Sequence, residues 1–338
     1  MTGFSVRAKT IGLYAIRALM VMFSAAAIYY STVEPVWLCW TLAVLFPAML
    51  VGAFFIRRQI PRRMTISVLM LCFWGWYFTD PPQNDRDWSK EYSIPADVGI
   101  NGHIAHIQHV RNFAWQSENT ATAGWYDADY DVDAISSVDL ITSYWAGNSI
   151  AHVFLSFAFR DGKHLAISIE TRRQKRFPYS AIAGFFHHYE LFYVVADERD
   201  LIGVRTDFRK ERVYLYHLNL APETEKRLFL SYLGAIHRLN SHPQWYNTLT
   251  DNCTTGILAR AQAQWRYRLD WRILLSGYTA SLAYDMGFLD THYSFPTLMR
   301  LSRIHRPDGA VPGPNYSDDI RRNLPDEVTH ESEAGQTH

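Results

Sequence analysis

Ile150-Ala151-His152-Val153-Phe154-Leu155-Ser156-Phe157-Ala158-Phe159, then Arg160-Asp161-Gly162-Lys163, then Leu165 to Ile169, is the stretch on which the fold turns. Two runs rich in aromatic and β-branched residues flank an Asp-Gly turn, the local signature of an antiparallel hairpin. Outward from it, residues 99 to 116 read as further extended chain, as do Glu190 to Val195 and Val213 to Leu218. Ala221 to Asn240 changes period. Pro222 and Glu223 open it, and Leu228, Tyr232, Leu233, Ile236 and Leu239 fall on one helical face. A second helix starts near Asn252 and runs through ILARAQAQW. Strands before helices predict an α+β domain with an antiparallel sheet packed by helices.

The chain is 338 residues long and 48% hydrophobic, and the apolar residues are concentrated at its start. Ile11 to Ser31, Val36 to Ile56 and Met64 to Thr79 read as three transmembrane helices, Arg17 being the one charge in the first. Arg7 and Lys9, and the cluster Arg57, Arg58, Arg62 and Arg63, place the N-terminus and the second link in the cytoplasm. Glu34, Asp80, Asp85 and Asp87 mark the opposite side, so the main domain is expected in the periplasm of a bacterial inner membrane. The expected division is a membrane domain over 1–80, a soluble domain over 81–305 and an unstructured tail over 306–338, where Pro, Gly, Asp and Ser dominate. Lys plus Arg equals Asp plus Glu at 33 each, which excludes a nucleic-acid binder with a broad basic face. Of three cysteines, Cys39 and Cys72 lie in apolar runs, too few for a disulfide scaffold, and only Cys253 remains for the soluble part.

Cys253 follows Asp251-Asn252 and precedes Thr254-Thr255-Gly256. Asp or Asn is a good N-cap, so the sulfur is expected at a helix N-terminus, where free N–H groups and the dipole favour thiolate. A lone cysteine is also often a small buried hydrophobe. All fourteen histidines follow residue 80. His103, His106 and His109 recur every third residue in extended chain, which sends His106 to the face opposite the others. His152 stands out because it starts the strongest strand, as either a base for Cys253 or a satisfied core histidine. Glu170 is the candidate to orient that imidazole: a three-residue Asp161-Gly162-Lys163 loop puts it on the face of His152, whereas a two-residue loop turns it away. Trp88, Phe113, Trp115, Tyr144 and Trp145 either line an apolar entrance or belong to the core. Asp197-Glu198-Arg199-Asp200 and Arg205 are either a clamp for an anionic group or an ion-pair network. No spacing implies a metal or an organic cofactor.

Val110-Arg111-Asn112-Phe113, Ile150 to Phe157, Ser168-Ile169-Glu170-Thr171-Arg172, Tyr189-Glu190-Leu191, Ala196-Asp197-Glu198-Arg199-Asp200, Val204-Arg205-Thr206 and Asp251-Asn252-Cys253-Thr254-Thr255 resemble, in this order, the Lnb N-terminal periplasmic domain family. The resemblance spans about residues 88 to 290. It implies a papain-like, circularly permuted thiol-hydrolase-like fold with the histidine ahead of the cysteine. It also implies acyl transfer to a lipoprotein through an acyl-thioester, with Cys253 and His152 as the pair. The expected partners are a phospholipid or lipoprotein of the outer leaflet of the inner membrane, with Asn252, Thr254, Tyr144, Trp145 and Arg205 near the substrate. A cell-wall peptide amidase with the same pair, and a non-catalytic membrane-tethered binding domain, are the competing expectations. The three N-terminal spans and the lack of a large C-terminal membrane region depart from the family's named member, a lipoprotein N-acyltransferase.

Overall fold

The computed structural model describes residues 2–261, 270–322 and 324, the side chains from residue 9 onward. The chain divides into two compact units.

The first unit comprises residues 1–86 with two later segments, Phe177–Glu190 and Gln244–Thr248. It contains helices α1 (Thr2–Tyr29), α2 (Val36–Phe54) and α3 (Gln59–Thr79). Among the described residues two helices, over Lys9–Tyr29 and Val36–Phe54, are long and apolar enough to cross a membrane. The expectation of three spans is corrected at α3. Arg62 and Arg63 occupy its first turns, and the apolar run that follows is shorter than the ~20 residues a bilayer core requires. Phe186 packs with Ala27, Ile28, Phe73 and Tyr77, and His187 is stacked between Tyr77 and Trp245 at ring-centroid distances of 4.1 and 4.9 Å. His188 Nδ1 donates to the Tyr30 carbonyl at 2.8 Å, and Arg86 Nε donates to Glu190 Oε1 at 2.6 Å.

The second unit holds the hairpin and the elements around it. Its strands are β1 (Asp97–Asn101), β2 (Ile104–Arg111), β3 (Ala114–Trp115), β4 (Ala121–Thr122), β5 (Trp125–Asp131), β6 (Ile135–Ala146), β7 (Ile150–Phe159), β8 (His164–Arg172), β9 (Glu190–Ala196) and β10 (Arg212–His217). Among the described residues eight of them form one sheet in the order β1-β2-β9-β8-β7-β6-β10, with β5 also on β2, and the ladder between β6, β7 and β8 is antiparallel. Helices α4 (Glu198–Leu201), α5 (Pro222–Ser241), α6 (Cys253–Arg260), α7 (Thr279–Asp285), α8 (Phe295–Leu301) and α9 (Tyr316–Arg321) complete this mixed α+β unit.

Both faces of the central strands are buried. Val153, Leu155, Phe157, Leu165, Ile167 and Ile169 face Phe229, Tyr232, Leu233 and Ile236 of α5, the apolar stripe read from the sequence. Phe154, Ala166, Phe192 and Val194 point the other way, onto Leu201, Ile202, Ile304, Tyr316 and Ile320. The expected tail therefore begins too early at residue 306. Arg306 pairs with Asp207, and α9 buries Tyr316 and Ile320 while its Arg321 reaches Glu198 and Asp139 at 2.7 and 2.6 Å. Residues 323 and 325–338 lie outside the described residues.

Candidate active site

The hairpin register places the first two members of the site. Phe159 N–H donates to the Lys163 carbonyl at 3.0 Å and Gly162 adopts a φ of 84°, so the loop is Arg160-Asp161-Gly162, with glycine in the left-handed position. It has three residues, one step earlier in the chain than the expected Asp161-Gly162-Lys163. The ladder then runs Ala158↔His164 to Leu155↔Ile167. Continued at the same count, it sets His152 level with Glu170 rather than Arg172, on one face. The ladder stops at Leu155, and it is there that the third member enters.

Cys253 is the first residue of α6 because of a capping box. Asn252 Oδ1 accepts from the Thr255 N–H, and Thr255 Oγ1 accepts from the Asn252 N–H, both at 2.9 Å. Odd-numbered residues of β7 turn their amides toward β8, as Phe159 shows. With no ladder bond beyond Leu155, the Val153 N–H donates instead to the Cys253 sulfur. The sulfur accepts where the register would have put the Ile169 carbonyl. Gly256 permits this approach: a Cβ there would overlap Ile169 Cδ1.

Around the sulfur the hydrogen bonds form a chain. Cys253 and His152 are hydrogen-bonded through their side chains. His152 Nε2–H donates to Ser168 Oγ at 2.6 Å and lies 3.0 Å from Glu170 Oε1, which leaves Nδ1 for the thiol. Ser168 Oγ in turn donates to Glu170 Oε1 at 2.9 Å, and Arg205 donates to the same oxygen at 3.2 Å. Arg205 sits on a single π-helical turn, Val204–Phe208, and its other nitrogen donates to the Leu201 carbonyl at 2.6 Å.

Electrostatics follow from this chain. Burial works against charge on His152, yet the Glu170 carboxylate and the Cys253 bond outweigh it and raise the imidazole to about 9. For Cys253, burial works to raise the thiol, but the bond and charge of His152, the Val153 amide and the Thr254 hydroxyl bring it below its ordinary value. Glu170, despite burial, is held well below the usual carboxylate range by His152 and Arg205. The pair is thus biased toward thiolate and imidazolium.

Of the residues singled out in the sequence, Cys253, His152, Glu170 and Arg205 come together. Asn252 serves as the cap of α6, and Thr254 is buried with its hydroxyl 3.4 Å from Thr279 Oγ1. Tyr144 is buried and donates to the Gly277 carbonyl at 2.6 Å, whereas Trp145 is 50% exposed and borders a polar cleft with Arg209, Lys210 and Arg212. Trp88, Phe113 and Trp115 are core residues, not an entrance. The acidic cluster after β9 is a network: Asp200 receives Arg111 at 2.8 and 3.0 Å, the Phe113 amide and the Trp115 indole, and Arg199 donates to Asn112.

Three contributors escaped the sequence reading. Ser168 was available from alternation, being two residues from Glu170 on the same face. The Val153 amide carried no side-chain signal. Tyr232 was read only as a position on the apolar stripe of α5; its hydroxyl is fully buried with no hydrogen-bond partner among the described residues, and it senses the Cys253 charge.

Comparison with known proteins found no match among curated proteins and none among solved structures. The model of one family, described as the Lnb N-terminal periplasmic domain, matches residues 121–277, a stretch that includes His152, Glu170 and Cys253. By that match, the part of the chain that carries the site belongs to the Lnb N-terminal periplasmic domain family.

Proposed function

We propose that the second unit is a thiol-dependent acyl-transfer domain, an acyltransferase or acyl hydrolase working on a lipid or lipoprotein beside the membrane. The observation that carries this reading is the unbroken hydrogen-bond chain Cys253–His152–Ser168/Glu170–Arg205, set at a capped helix N-terminus. The two apolar N-terminal helices and the periplasmic family support a membrane-anchored protein with its substrate at the membrane surface. A histidine on a strand that precedes a helix-borne cysteine supports a papain-like, permuted arrangement.

In the reaction, Cys253 Sγ forms a bond to the carbonyl carbon of an acyl ester, and the free N–H groups at the start of α6 receive the oxyanion. The C–O bond then breaks, and His152 gives its proton to the departing alkoxide. An acyl-thioester and a free alcohol result. His152, now neutral, takes a proton from an attacking amine or water as that nucleophile displaces the thiolate. Glu170 and Ser168 hold Nε2–H throughout, which keeps Nδ1 directed at the sulfur.

The test is intact-mass analysis of the chain incubated with phospholipid or diacyl lipopeptide. An acyl adduct released by hydroxylamine is expected, and Cys253→Ser should convert it to a stable ester or abolish it. Absence of any adduct together with release of fragments from wall peptide would replace this reading with an amidase. Absence of turnover on both would leave a binding domain.

A further inference from the structure

On the sheet face that carries α5, an apolar cleft of about 110 Å³ starts one residue from the sulfur. Its floor is Leu140 and Leu155, the latter the residue at which the β7–β8 ladder ends, and its walls are Ile257 and Leu258 of α6 with Leu228 and Met286. Thr254 joins the two places, since its hydroxyl is bonded to the Cys253 sulfur while the residue lines the cleft. Phe288, 38% exposed, is part of the lining, so the cleft is reachable from solvent rather than sealed in the core.

We infer that this cleft holds the acyl chain of the substrate next to its carbonyl and so sets chain-length preference; the inference rests on the thiol reading above. The lining decides the occupant. Among the described residues no carboxylate borders the cleft, and the polar side chains that do are three threonines and two arginines. An extended peptide buried there would leave amides without partners, whereas methylenes need none. Size limits the length held. An apolar cavity of roughly 150 Å³ stays dry and accommodates benzene, so this cleft takes a few methylenes, and the remainder of the chain leaves past Phe288. Each methylene buried raises the acylation rate by up to about fourfold.

The test uses the full chain in nanodiscs and p-nitrophenyl esters from acetyl to hexadecanoyl, which acylate the sulfur with loss of p-nitrophenolate. Thioester formation on Cys253 is expected to rise from acetyl to about hexanoyl and then level off. Leu258→Trp and Ala283→Phe, each at a residue that lines the cleft, should cancel that rise. In the wild-type chain, an ester with a diazirine near the fifth carbon should cross-link to Leu258 or Met286, a readout that requires no variant. Adducts with an unchanged length profile in both variants, or cross-links elsewhere in the chain, overturn the cleft assignment while leaving the thiol reading intact. No adduct with any ester removes both.

Discussion

His152 is the residue through which the site is organised, since its two ring nitrogens have separate partners. Nε2 is held by Ser168 and Glu170, and the other nitrogen is turned to the sulfur. Glu170→Gln keeps the shape and removes the charge that raises the imidazole. His152 should then lose its proton well below pH 9, the thiol should ionise only at higher pH, and acylation at pH 7 should fall by at least about tenfold. The pH–rate profile checks this, and an unchanged upper limb would count against the role given to Glu170. Both partners of this pair were legible in the sequence as candidates, although the face taken by Glu170 hung on the length of the turn. The gap in the ladder was not. A backbone amide turned to a sulfur leaves no trace in residue types, and the turn register depended on a glycine φ that Asp161-Gly162 allows in two ways.

Among the elements that the sequence hid, β6 lies nearest the centre of the sheet. Ile135 to Ala146 includes Ser137, Asp139, Thr142 and Ser143, all buried, so no hydrophobic run or clean alternation marks it. Asp139 is tolerated there because α9 supplies Arg321 at 2.6 Å, from 182 residues later in the chain, which also reaches Glu198 of α4. A contact that remote cannot be read from local pattern, and the compositional bias after residue 306 pointed away from it. Removing Arg321 leaves Asp139 with His217 and Glu198 with the Ser156 hydroxyl in place of a buried guanidinium, so Arg321→Ala should cost up to about 3–5 kcal/mol of stability. Both carboxylates are held below their ordinary pKa, so this stabilisation is complete above the unfolded-state values and is lost as pH falls through the folded ones. Urea unfolding of the wild type should therefore weaken from pH 6 toward pH 3. The variant should weaken less over the same range, and parallel curves would refute the argument.

For the molecule as a whole, apolar length was easy to see and the number of crossings was not. The run of α3 looked sufficient until its arginines were set against the bilayer thickness. Two apolar helices and a family of periplasmic domains fit a membrane protein, so the full chain should stay in the membrane pellet after carbonate washing and require detergent for release. Recovery in the wash supernatant would exclude both helices as spans. At this scale the α+β character followed from strands preceding helices.

The central claim is that His152 makes Cys253 a thiolate. The direct measurement is the rate of iodoacetamide alkylation at Cys253, followed by peptide mass spectrometry from pH 5 to 10 in the wild type and in His152→Ala. The wild type should already react fast at pH 6, while the variant should need pH near the free-thiol value of about 8.5. Superimposable profiles, or a sulfur inert across the whole range, would contradict it.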